Sequence, residues 1–235
     1  MIMVKYEIIK ERFAAIILIR KEKRIMNYNY PQLFANQFDF IDNNPDNLKS
    51  PTRSSKVIIP IHSAIARQIQ ENSEYTAISL ADGEEYTFEG IYGSKKIDIA
   101  IFDKNGKLKG AILFKGIRSE YNKNANNFAE NMRGESALFI DSGIKVYQII
   151  FIPTKIRKSN GKFEKPNDNS YMNYCNFINF SQHHPFWKGL KLGVFYLEMD
   201  YDNYSATYSK EKKVDGVENT LEEGIFNFIE VLKNE

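Results

Sequence analysis

The segment from Lys95 to Gly116, KKIDIAIFDKNGKLKGAILFKG, constrains this chain more than any other. Two β-rich runs, Ile97–Phe102 and Leu108–Phe114, flank Lys104-Asn105-Gly106-Lys107. Asn-Gly is the strongest short-range hairpin signal, because both central residues of a type I′ turn need positive φ. With Asn105 and Gly106 as those two residues, Asp98 stands opposite Leu113 and Lys115 lies two residues farther along the same face. Ile97, Ile99 and Ile101 then point the other way with Ile112 and Phe114 and supply a core face. A register shift of one residue would break the arrangement.

The rest of the chain is read around this hairpin. Residues 1–25 alternate apolar and charged residues and fit either a strand pair or a helix. Residues 41–55, dense in Asn, Asp, Pro and Ser, read as a loop or linker. Ile59–Gln70 is an amphipathic helix, with Pro60 in its first turn and Ile61, Ile65 and Ile69 recurring every four residues. Tyr75–Leu80 and Glu85–Tyr92 read as short strands with Asp82-Gly83 as the turn between them. After the hairpin, Asn122–Leu138 is a helix whose buried stripe is Ala125, Phe128, Ala129 and Met132. Ile144–Pro153 is a buried strand, 154–185 a long loop excursion, Leu192–Met199 a strand and Leu221–Leu232 a closing helix. This order gives an α/β fold: a mixed central β-sheet flanked by helices. A length of 235 residues suits one domain, with its core at about 55–235 and residues 1–54 as an N-terminal appendage.

Composition narrows the chemistry. A single cysteine, Cys175, excludes an internal disulfide and any multi-cysteine zinc site, and three histidines, His62, His183 and His184, argue against a His-rich metal centre. The opening residues interleave charge with apolar side chains, so they read neither as a signal peptide nor as an anchor, and no apolar run approaches membrane-spanning length. A reducing cytoplasm is the expected setting. The net charge of +2 does not by itself announce nucleic acid, but Lys104, Lys107, Lys109, Lys115, Arg118 and Lys123 form one basic cluster and Lys155, Arg157, Lys158, Lys162 and Lys165 another. A basic loop is most often a solvated loop; two such clusters flanking a candidate site suit a phosphate-bearing substrate.

A face shared by Asp98 and Lys115 offers part of what metal-dependent phosphodiester hydrolysis needs. The carboxylate can hold Mg²⁺, which polarises the phosphate and activates water, and the lysine can orient that water or neutralise the transition state. A second acidic ligand is expected. The same pair on an ordinary surface hairpin would be a common cross-strand neighbourhood.

The stretch IDIAIFDKNGKLKGAILFKG resembles the core of the PD-(D/E)XK nucleases, the superfamily of most type II restriction endonucleases. Asp98, preceded by Ile97 instead of Pro, matches the motif's Asp, and Lys115 matches its Lys. Leu113 stands where the family's Asp or Glu would be. The following GIRSEYNKNANNFAENMRGE is similar to a branch in which the second acid has moved to the next helix. There the Lys is followed by an Arg-Ser-acid run, an Asn-rich stretch and a helical Glu. This chain has Ile117-Arg118-Ser119-Glu120, Asn122-Lys123-Asn124 and Glu130, with Glu135 a rival five residues on. The resemblance covers roughly 98–135.

It implies a restriction-endonuclease-like domain acting as a Mg²⁺-dependent type II restriction endonuclease on double-stranded DNA at a short site. Asp98 and Glu130 would hold the metal, Lys115 would position the water, and Arg118, Ser119, Lys123 and Asn124 would touch DNA. A homodimer or homotetramer is implied by palindromic sites. Two alternatives stay open: a nuclease-like fold that only binds DNA or a partner, with Leu113 marking lost catalysis, and a repair or junction nuclease of the same superfamily. On the residues alone, Ser119 and Asn122 also read as helix caps; the resemblance implies one of Glu71, Glu85 and Glu89 as an auxiliary metal ligand. Gly90-Ile91-Tyr92 matches only half of a GIY-YIG signature, and the His183-His184 pair has no acid or Cys neighbour in sequence. The excursion at 154–185 suits base-edge readout or a plain loop.

Overall fold

The computed structural model describes residues 28–44, 55–90, 93–158 and 160–234. The ambiguous opening at 1–25 and most of the stretch at 41–55 lie outside the described residues, as do Ile91 and Tyr92. In chain order the elements are α1 (Tyr30–Asn43), α2 (Ser55–Asn72), β1 (Thr76–Ser79), β2 (Tyr86–Gly90), β3 (Gly93–Ile97), β4 (Ile99–Phe102), β5 (Leu108–Gly116), α3 (Tyr121–Asp141) and β6 (Lys145–Pro153). They continue with β7 (Ile156–Arg157), β8 (Phe163–Glu164), α4 (Asp168–His183), β9 (Leu190–Asp200), β10 (Ser205–Tyr208) and α5 (Leu221–Lys233).

Six strands form a mixed sheet in the order β1-β4-β5-β6-β9-β10. The β5–β6 and β6–β9 pairs are parallel and the other three antiparallel. Parallel neighbours need long crossovers; α3 supplies the first and the β7–α4 excursion the second. Helices cover both faces. On one, α1, α2 and α5 place Phe34, Ile61, Ile65, Ile69 and Phe228 against Ile99, Ile101, Ile112, Ile149 and Phe151. On the other, α3 and α4 place Ala125, Met132 and Phe177 against Ile150 and Val194, while Phe139 packs on Ala111 and Val146. The architecture is the expected mixed α/β one, a mixed sheet flanked by helices. Among the described residues, no helix is long and apolar enough to cross a membrane.

The hairpin reaches the expected register by an unexpected route. The turn is not a two-residue Asn105-Gly106 loop. Asp103 N–H donates to Lys107 O and Gly106 N–H to Asp103 O, so Lys104, Asn105 and Gly106 form a three-residue loop, with Gly106 alone at positive φ (78°). The Asp103 carboxylate accepts from the N–H groups of Asn105 and Lys107, which favours this longer loop. Phe102 accordingly pairs with Leu108, one residue away from the expected register. An irregularity between Ile101 and Phe102 then takes up Lys109, and Ile101 pairs with Gly110, Ala100 with Ala111 and Ile99 with Ile112. The two offsets cancel before Asp98 is reached. Ile99, Ile101 and Ile112 face the α1–α2–α5 side as expected, but Ile97 packs with Ala111, Leu113 and Phe139 on the opposite side. The alternation fails there because the chain bends at Asp98, between β3 and β4.

Other boundaries moved. α2 starts at Ser55, so Pro60 lies inside the helix and not in its first turn, although Ile61, Ile65 and Ile69 are buried as the spacing requires. Tyr75–Leu80 and Glu85–Tyr92 do not pair with each other: β1 joins β4, β2 joins β3 in a separate two-stranded sheet, and a 3₁₀ turn at Leu80–Asp82 with a Ser79/Asp82 capping box lies between them. Residues 154–185 are not a plain loop, since they hold the β7–β8 pair and the 16-residue helix α4. α1 is a further helix beyond those the sequence patterning marks; Asn29 caps it by accepting from Gln32 N–H, and Phe34 and Phe38 recur one turn apart on its buried face.

Candidate active site

Asp98 occupies the joint where the chain leaves the β2–β3 sheet for the main one. The bend turns its carboxylate towards the end of the β4–β5 ladder, where Oδ2 accepts the Phe114 N–H at 2.7 Å. Lys115, the next residue of β5, projects to the α3 side, with Nζ 4.6 Å from the centroid of the Phe128 ring. Both side chains line a cavity of about 230 Å³ together with Lys95, Lys96, Leu113, Phe114, Met132, Glu135 and Gln148. Asp98 and Lys115 therefore share one site.

The helix contributes a different acid from the one placed first. Glu130 is solvent-exposed and does not line the cavity; Glu135 does. The phase of α3 explains this. Met132 is buried and Phe128 half-buried, and Glu135 follows Met132 by three residues and Phe128 by seven, which keeps it on their side of the helix. Glu130 lies five residues before Glu135, about 140° around the helix at 100° per residue. The Asn126 side, expected near Asp98, instead faces α4, where the Asn173 side-chain amide donates to Asn126 Oδ1 at 3.0 Å.

Glu135 is held by Lys95, whose Nζ lies 2.5 Å from Glu135 Oε1. Lys95 comes from β3, three residues before Asp98, and nothing in its local sequence marked it; only the fold brings it to α3. Gln148 on β6 is buried beneath them, and its Nε2 donates to Met132 O at 3.3 Å, pinning the helix to the sheet beside Glu135. Burial pushes the Asp98 carboxyl up to about 6, with Glu135 adding repulsion against the pull of the Phe114 N–H, Lys95 and Lys115. Burial also lowers the pKa of Lys115, opposed by Glu135 and Asp98 and assisted by Lys95.

The remaining expected contact residues lie elsewhere. Arg118, Ser119, Lys123 and Asn124 do not line the cavity. The half-buried Arg118 donates from Nε to Gln37 Oε1 on α1 at 3.0 Å, and burial pulls its pKa down to about 10. Lys123 is exposed, and Asn124 Nδ2 bonds Glu120 O within its own first turn. The N-cap of α3 is Glu120, at φ 51° and without a side-chain cap, rather than Ser119 or Asn122. Glu164 of β8 does that work, with Oε1 accepting the Tyr121 N–H at 2.9 Å and the Asn122 N–H at 3.5 Å. Glu71 accepts from the Tyr28 hydroxyl, Glu85 lies 3.9 Å from Lys96 and Glu89 is exposed; none of the three lines the cavity. His183 and His184 border a shallow groove with Asn176, Asn179 and Phe180.

Among the described residues, no three His, Cys, Asp or Glu side chains converge as a metal site. The cavity offers two carboxylates, Asp98 and Glu135, and the raised pKa of Asp98 marks a place where added positive charge would be favourable. Mg²⁺ is commonly held by one or two carboxylates, with water and substrate phosphate completing its shell, so the donor set suits that ion. Compared with protein-family models, with curated proteins and with solved structures, the chain matches none.

Proposed function

We propose that this protein is a Mg²⁺-dependent endodeoxyribonuclease of the PD-(D/E)XK kind, a type II restriction endonuclease that cleaves double-stranded DNA at a short site, with Glu135 rather than Glu130 as the second acid. The observation that carries this reading is the cavity shared by Asp98, Lys115 and Glu135, one residue each from the β3–β4 joint, β5 and α3. The order β1-β4-β5-β6 and the α3 crossover between parallel β5 and β6 are consistent with it. A divalent ion held by Asp98 and Glu135 would polarise the scissile phosphate and make water a better nucleophile. Lys115 would orient the attacking water and offset charge on the phosphate in the transition state; the Phe128 ring limits where its ammonium can swing. Gln148 would keep Glu135 in place through Met132.

A homodimer or homotetramer suits a palindromic target, because a two-fold site presents one such cavity to each strand. A second reading, a nuclease-like fold that binds DNA without cutting it, draws on Leu113 and on the Lys95–Glu135 ion pair, which already occupies the helical acid. Plasmid cleavage with Mg²⁺ tests the assignment. Glu135→Gln and Lys115→Ala should each lower cleavage by about 100-fold or more, while Glu130→Gln should stay within about threefold of wild type. Full activity in Glu135→Gln would overturn it. Comparing linear duplex with branched junctions separates a restriction enzyme from a repair or junction nuclease.

A further inference from the structure

The cavity between β3, β5 and α3 is balanced in charge. It holds two carboxylates, Asp98 and Glu135, and two ammonium groups, Lys95 and Lys115, while its third lysine, Lys96, lies 3.9 Å from Glu85. A divalent ion taken up by the two carboxylates would leave a surplus of positive charge in a confined space. Either a resident cation must withdraw or anions must enter with the metal. Lys95 is the cation placed to withdraw. It contacts Glu135 directly, and the two side chains are 37% and 34% exposed, so water reaches both. Among the described residues its strand pairs only with β2, in a two-stranded sheet outside the main one. Lys115 is less free to leave, because β5 is hydrogen-bonded between β4 and β6 and its Nζ sits over Phe128. A lysine stem has enough rotatable bonds to carry its ammonium several ångströms without moving the backbone.

We propose that Lys95 is an exchangeable counter-ion: it neutralises Glu135 until a divalent cation takes that carboxylate, then turns to a phosphate oxygen of the incoming phosphodiester. This inference rests on the metal-dependent reading above. Its consequence is that cation and phosphodiester bind cooperatively, because the ammonium displaced by one is the partner of the other. Lys95 is then a further substrate-binding residue beside Lys115.

The test is calorimetric titration of the full-length protein with Mg²⁺, with and without dimethyl phosphate as a minimal phosphodiester. Lys95→Ala should bind Mg²⁺ alone about tenfold more tightly than wild type, as expected when a like charge near the ion is removed. Lys95→Gln, which is one atom shorter and neutral but keeps an N–H donor, should behave the same way, and Lys95→Arg should remain near wild type. Dimethyl phosphate should tighten Mg²⁺ binding to wild type and have little effect on Lys95→Ala. Unchanged or weaker Mg²⁺ binding in both neutral variants, with wild-type binding still abolished by Asp98→Asn, would overturn the role of Lys95 alone. Absence of Mg²⁺ binding to wild type and to the neutral variants alike would overturn the metal-dependent reading and Lys95 with it.

Discussion

Asp98→Asn removes the negative charge that burial and Glu135 oppose, and it keeps an acceptor for the Phe114 N–H, because the amide oxygen can take the place of Oδ2. Burial holds the wild-type carboxyl up at about 6 in the folded protein, against an ordinary value of 3.8. Between those values the folded state binds more protons than the unfolded one, so this group's contribution to stability is complete below the lower value and is lost as pH rises through the upper. A shift of that size corresponds to about 3 kcal/mol at 1.36 kcal/mol per unit, and the partial exposure of the side chain brings the expectation to about 1–3 kcal/mol. In chelator, at pH 7.5, Asp98→Asn should therefore unfold at higher urea than wild type by that amount. The difference should vanish near pH 3.5, where both chains are neutral at this position. Millimolar Mg²⁺ should narrow the gap at pH 7.5 by stabilising only the wild type. Urea melts at half-unit pH steps measure all three. An Asp98→Asn chain less stable than wild type at pH 7.5, or a difference independent of pH, would refute the picture of a charge held at a cost to the fold.

Three further outcomes follow from other sites. His62 is buried with no hydrogen-bond partner on either ring nitrogen among the described residues, and burial lowers its pKa from 6.5 to about 4. The unfolded chain binds the extra proton between those values, so stability falls as pH drops. The advantage of His62→Leu over wild type should grow by about 2 kcal/mol between pH 8 and pH 5 in the same melts. Glu164→Ala strips the N-terminus of α3 of its carboxylate and should cost about 1–2 kcal/mol, with faster hydrogen exchange at Tyr121 and Asn122. Gly224→Ala drives a methyl group into the Tyr147 hydroxyl beneath α5 and should cost about 1–3 kcal/mol in thermal melts.

What could be read from the sequence depended on how local its cause was. The hairpin was legible because its strands are adjacent in the chain, and Asp98 and Lys115 lie close enough to the turn for the register to reach them. Even so, the loop is longer than Asn-Gly suggests, and the irregularity at Lys109 restores the pairing; either offset alone would have turned Lys115 away from Asp98. The helix was legible as a helix, and its stripe of Ala125, Ala129 and Met132 is buried. Which polar residue beside that stripe meets the hairpin follows from how the stripe is seated between sheet and α4, with Asn173 of α4 donating to Asn126 on the far side. That contact joins residues 47 apart and leaves no trace near Glu130. A signal for Glu135 did exist, since it continues the Phe128–Met132 spacing. Lys95 had none, and neither did Glu164, which meets α3 from 43 residues away. The second helical layer was lost because Asn, Ser and Tyr dominate α4, so its polar composition hides the periodicity of Tyr174, Phe177 and Ile178.

The carboxylate that Glu164 lends to α3 also bears on where a polyanion can run. A helix N-terminus is a ready anion site, with N–H groups aimed outward and the helix dipole behind them. Here a group from the same chain fills it, accepting from Tyr121 and Asn122 while Lys158 lies 3.5 Å from its other oxygen. A strand of nucleic acid passing α3 would find that end closed to its phosphates. If the proposed nuclease reading holds, the lysines around Asp98 would be the attractive ground, and the path of a bound backbone would be drawn as much by the anchorage that is blocked as by the one that is open.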